Sequence, residues 1–133
     1  MASVIDASFT LAIFLPDEAS PDAATIEEVA RGVAVPRHWF AEVASGYVQA
    51  SRRGRIGTAM VAELLKALEG LSVEPDEADA LIAQRQSAVL ALQYGLTVYD
   101  AAYLELALRL RRPLATFDTQ LRAAALAAGV VLL

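Results

Sequence analysis

Cysteine is absent from the 133 residues, and histidine occurs once, as His38. The first absence excludes disulfides, zinc–thiolate centres and thiol catalysis. The second excludes a multi-histidine zinc site, and any serine–histidine–aspartate mechanism would rest on His38 alone. At that position a surface or capping histidine is the simpler expectation. No apolar run is long enough to span a bilayer: the longest charge-free apolar stretch is Ala123 to Leu133, well short of the roughly 20 residues needed. The N-terminus has no basic segment, and Asp6 interrupts the first apolar run, so no signal peptide is expected. A cytoplasmic location fits a chain of this kind.

Basic charge is also scarce: 11 basic residues face 16 acidic ones, for a net charge of −5. Taken alone, this argues against broad electrostatic binding of nucleic acid. The arginines are clustered, however, as Arg52, Arg53 and Arg55 and again as Arg109, Arg111 and Arg112. The first cluster ends a helix, where cations favour the dipole. An acidic protein can still bind RNA when a bound metal neutralises the site and arginines line its edge. What is plentiful is apolar surface, at 56% of residues with a mean hydropathy of +0.44. That is enough to offset chain entropy, and the length fits one domain over residues 1–133.

Short apolar runs alternate with longer amphipathic stretches. Val4-Ile5 reads as a strand ending at Asp6, Gly32 to Pro36 as a second, Leu71 to Val73 as a third, Pro113 to Phe117 as a fourth and Val130 to Leu133 as a fifth. Helices are expected over 8–15, from Pro21, and over 37–53, 57–68, 76–94, 100–111 and 119–128. Strands this short and this uniformly apolar belong to a buried, mostly parallel sheet. The expected fold class is α/β, a three-layer α/β/α sandwich with four to five strands.

In such sheets ligands bind beyond the carboxyl ends of the strands. Asp6 follows the first strand and Asp118 the fourth, although Asp118 also stands where a helix N-cap would. An acid at the end of a buried strand is costly unless paired or metal-bound, which makes Asp6 the more telling. On a helical wheel Asp100 shares the face of Tyr103, Leu104 and Ala107, with Glu105 and Arg109 on the polar side. Asp100 therefore points inward and Glu105 toward solvent. Tyr99 and Tyr103 read as core or site rim, with core the simpler choice. Glu42 borders an apolar face made by Trp39, Phe40, Val43 and Tyr47, and an exposed helical glutamate is its plain alternative. Met60, Leu64, Leu65 and Leu68 form a stripe for core or dimer packing. Several carboxylates in one place repel, and survive by raising a pKa or holding a cation. Oxygen donors without histidine or thiolate select Mg²⁺ or Mn²⁺.

The segments 4–8, Pro36 to Ala44, 96–104 and 114–118 together resemble the PIN-domain family, and within it the VapC-like toxins of toxin–antitoxin pairs. The Tyr-Asp-Ala-x-Tyr-Leu segment from Tyr99 to Leu104 is the most specific. The resemblance implies the α/β/α sandwich and a metal-dependent endoribonuclease. Asp6, Glu42, Asp100 and Asp118 would then be the catalytic and Mg²⁺- or Mn²⁺-binding acids, with Ser8 and Thr116 as supporting polar residues. It further implies an RNA substrate, a small antitoxin partner and a homodimer, with no membrane association. Alternatives are a catalytically silent PIN-like binding module and a receiver-type signalling domain. The receiver needs a lysine after a late strand, and Lys66 lies mid-chain. A haloacid dehalogenase-type phosphatase needs an aspartate where Ser8 stands.

Overall fold

The computed structural model describes residues 2–18 and 20–133. Strand β1 (Ser3–Ile5) ends at Asp6, whose carboxylate accepts from the Phe9 amide and so starts helix α1 (Ala7–Phe14). Asp22 caps α2 (Ala23–Ala30) in the same way, which places that helix start after Pro21. Strand β2 (Val33–Val35) leads into α3 (Trp39–Arg52), α4 (Thr58–Ala67) and strand β3 (Val73–Pro75). Helix α5 (Ala80–Tyr94) is capped by Asp79, and Gly95, at φ 66°, closes it in the left-handed conformation that glycine adopts cheaply. Then come α6 (Val98–Leu110), strand β4 (Leu114–Ala115) and α7 (Thr119–Ala127).

The sheet order is β3-β2-β1-β4, with every pairing parallel. Consecutive residues of β1 and β2 are all buried, as are both residues of β4. Neighbours along a strand point to opposite faces, so the sheet is covered on both sides. Helices α5 and α7 pack on α6, which lies against β1 and β4, while α1 and α4 pack on α3. The α/β/α sandwich is therefore as expected. Strand β3 is the exposed edge, and Pro75 suits that place because an edge strand can spare an amide.

Three expectations need correction. The fifth strand shrinks to a single parallel bridge between Leu132 and Leu114. The helix expected from Asp76 begins at Ala80 instead, because Asp76 is taken up by the end of β3: its amide donates to the Val35 carbonyl, and its carboxylate binds Arg109. Glu105, expected in solvent, is 6% exposed, and its charge is answered by Arg109 one turn later.

Candidate active site

Along the sheet, the chain moves outward from β1 to β2 and β3, then returns to the other side of β1 with β4. The switch point therefore falls between β1 and β4, with Asp6 and Asp118 just beyond their carboxyl ends. Asp6 is 3% exposed. Its carboxylate accepts from the Phe9 amide at 2.9 Å, from the Ser8 hydroxyl at 2.8 Å and from the Thr116 hydroxyl across the sheet. Thr116 Oγ1 in turn accepts from the Asp118 amide at 3.0 Å, so it ties the two strand ends together. Ser8 Oγ does the same more loosely, accepting from the Phe117 amide at 3.3 Å. The Ser8 hydroxyl straddles both Asp6 oxygens, at 2.8 and 2.9 Å, so each oxygen has two donors and a ligand on Asp6 would have to displace the shared Ser8 proton. Asp118 caps α7 through Oδ1, accepting from the Leu121 amide at 2.8 Å. Capping and site position are thus compatible in one residue.

Helix α6 brings Asp100 in its first turn, half-buried, on the same helix face as Tyr103. Helix α3 brings Glu42. The Trp39 indole donates to Thr10 Oγ1 at 3.0 Å, and Thr10 donates to the Asp6 carbonyl at 2.8 Å, so the start of α3 is pinned to Asp6 itself. The Tyr103 hydroxyl donates to Glu42 Oε1 at 2.6 Å. His38 Nε2 lies 3.1 Å from the same oxygen, but off the axis of a hydrogen bond.

The electrostatics reflect crowding of like charge. Burial pushes Asp6 up to about 6, with a smaller push from Asp100 and with its three hydrogen-bond donors pulling the other way. Burial also raises Asp100, helped by repulsion from Asp118 and Glu42. For Glu42 burial acts to raise the carboxyl, but His38 and Tyr103 outweigh it and hold it below the ordinary glutamate range. Asp100 thus stands in the field of each of the other three acids. Among the described residues, no three acidic or histidine side chains stand within joint reach of one ion, so a cation would have to draw them inward. The donor set nevertheless fits a hard divalent cation: all oxygen, net negative, with the Oδ2 of Asp118 outside the cap and the shared Ser8 proton the readiest to leave Asp6.

The sequence matches the PIN domain pattern over residues 3–126. The chain belongs to the PIN domain family. Within it the chain is VapC-like: it is 34% identical over 125 residues to Ribonuclease VapC3 of Pyrobaculum aerophilum, covering 91% of this chain and 92% of that one. The fold also matches the crystal structure of PAE2754 from Pyrobaculum aerophilum, with a TM-score of 0.69 at 24% identity over 93% of this chain and 79% of that one.

Two residues of this PIN domain touch the acids without having been singled out for them. His38 stands at the N-cap position of α3, as expected, but its side chain makes no capping bond and lies against Glu42, and Tyr103, though core, spends its hydroxyl on Glu42. The signal for His38 was its four-residue spacing from Glu42, which puts the two on one helical face. Tyr99 is not core: it is 64% exposed beside the acids.

Proposed function

We propose that the protein is a metal-dependent endoribonuclease, the toxin of a toxin–antitoxin pair, acting through Asp6, Glu42, Asp100 and Asp118. The observation that carries this reading is Asp6, an almost fully buried carboxylate at the switch point of the sheet that feels the charge of Asp100, which in turn feels Asp118 and Glu42. The kinship to a named ribonuclease supports it. Asp6, Asp100 and Asp118, with Glu42 behind them, would hold Mg²⁺ or Mn²⁺, and the bound ion would supply charge neutralisation and an activated water for phosphodiester hydrolysis. The protein's own part is positioning. Ser8 and Thr116 fix the Asp6 carboxylate, Tyr103 fixes Glu42, and burial keeps competing water away from Asp6.

The proposed partner is a small antitoxin. A concave acidic site attracts an arginine-bearing peptide, and an apolar cavity of about 330 Å³ between α3, α4 and β3, lined by Trp39, Phe40, Leu65 and Leu71, offers it a second hold. A homodimer is the proposed assembly, supported by the exposed apolar stripe of α5. No helix of the described residues is long and apolar enough to cross a membrane, and we place the protein in the cytoplasm.

The decisive experiment incubates RNA with purified protein, with Mg²⁺ or Mn²⁺ and with EDTA. Cleavage that needs the ion is expected. Asp6→Asn and Asp100→Asn should each abolish it while circular dichroism stays that of the wild type. Full activity in either folded variant overturns the assignment.

A further inference from the structure

Next to the acids, on the far side of His38, lies a recess of about 270 Å³ lined by Arg37, His38, Ala83, Gln84, Tyr99 and Ala102. It is smaller than a typical drug-sized pocket and is mostly apolar. Its wall toward the acids is shared with them. His38 presents Nε2 to Glu42, and its ring lies 5.7 Å from that of Tyr99 and 5.0 Å from that of Tyr103. Tyr99 immediately precedes Asp100, so its ring is tethered to the acid cluster by a single peptide bond. That ring is 64% exposed, an apolar face left open at the edge of a charged site.

At the rim stands Arg37, which is exposed. Its Nε donates to the Asp76 carbonyl at 3.0 Å, which anchors the side chain. Among the described residues no carboxylate lies within ion-pair distance of it, although its charge helps hold Asp76 below the usual carboxylate range. Asp76 also lines the recess, but its carboxylate is bound by Arg109 at 2.6 Å. The recess therefore pairs an open aromatic face with an anchored cation a few residues from Glu42. The opposite flank of the site, under Phe117, is bordered by Glu18, which shares the single cation Arg55 with Asp17, so that flank keeps a net negative charge.

A single-stranded RNA asks for this combination. Each base offers a π face for stacking on an aromatic, and each phosphate offers an anion for arginine. We propose that the recess receives the base of one nucleotide flanking the scissile phosphodiester, stacked on Tyr99 and walled by His38, with Arg37 on its phosphate. The site would then read the strand as unpaired, because a base held in a duplex cannot enter. This proposal rests on the nuclease reading for the identity of the ligand, but its test is separable from it.

The test is a cycle between protein and RNA. A short single-stranded RNA of mixed sequence is made intact and with an abasic residue at each position in turn. Every version is measured against wild type, Tyr99→Ala, Tyr99→Phe and Arg37→Gln, by anisotropy in EDTA and by cleavage in Mg²⁺. At one position the abasic change should raise the wild-type Kd and KM by about tenfold or more, with kcat little changed. In Tyr99→Ala the same abasic change should have no further effect, and Tyr99→Phe, which keeps the ring, should behave as wild type. Arg37→Gln should weaken every version and flatten the salt dependence. An abasic penalty equally large in Tyr99→Ala, or absent from the wild type, overturns the proposal. If RNA is cut without a Tyr99-dependent penalty, the recess falls and the nuclease stands. If nothing is cut but the penalty appears in binding, the nuclease falls and the recess stands.

Discussion

Asp6 carries a conflict that its neighbours only partly resolve. Burial lifts its pKa to about 6 from the ordinary 3.8, even against three hydrogen-bond donors. The penalty is absent below the unfolded value and is fully felt above about pH 6, where ionising Asp6 costs the fold roughly 3 kcal/mol. A divalent cation relieves that cost and competes with the proton for the same oxygens. Mg²⁺ should therefore raise Tm more at about pH 7.5 than at about pH 5, with affinity falling as the pH drops through 6. Thermal melts with and without the ion at both pH values check this, and an equal gain at both would count against Asp6 as a ligand. Thr116→Val removes the hydroxyl that links Asp6 to the Asp118 amide. It should lower metal affinity or activity by about 10- to 100-fold while the chain stays folded, read by titration and turnover. The sequence already marked Asp6 and Asp118, since each follows directly from a strand end, while Thr116 came only with the family resemblance. It hid the role of Glu105, because a helical wheel sorts residues by angle and has no knowledge of the partner that neutralises them. It likewise favoured the core over the site rim for Tyr99, although the ring lies open to solvent beside Asp100.

At the scale of the elements, alternation of strand and helix was readable because β1, β2 and β4 are buried on both faces and must be uniformly apolar. What could not be read were boundaries decided by distant partners. Asp76 looks like a helix cap in isolation, yet Arg109, 33 positions later, holds its carboxylate at the end of β3. The same guanidinium binds Glu105 at 2.8 Å, so one arginine fastens α6 to the turn before α5. Arg109→Met would leave Glu105 buried without its cation and should cost roughly 3 kcal/mol. Denaturant unfolding measures the loss. The accompanying Glu105→Gln change should recover part of it, because no uncompensated charge then remains on that residue.

For the whole molecule, an exposed apolar stripe runs along the outward side of α5: Leu81 is 71% exposed, Val89 53% and Leu92 88%. Their spacing keeps them on one side of the helix, where apolar exposure is costly unless a second surface covers it. A homodimer through α5 predicts that Leu92→Glu shifts the protein to monomer in sedimentation or light scattering, with the far-ultraviolet spectrum unchanged. A dimer that survives the substitution would place the contact elsewhere, for instance on the stripe of Met60 and Leu65, which are each 37% exposed.

The pairing of Ile5 with Ala115 has a consequence in time as well as in space. During translation the first strand emerges early, but its neighbour on one side is made only when more than a hundred further residues have followed. Until then Asp6 lacks the Thr116 hydroxyl, and Asp118 does not exist. On the proposed assignment of these residues, a nascent polypeptide on the ribosome, itself built of RNA, would carry no assembled cutting centre, and competence would arrive late, when the two ends of the fold meet.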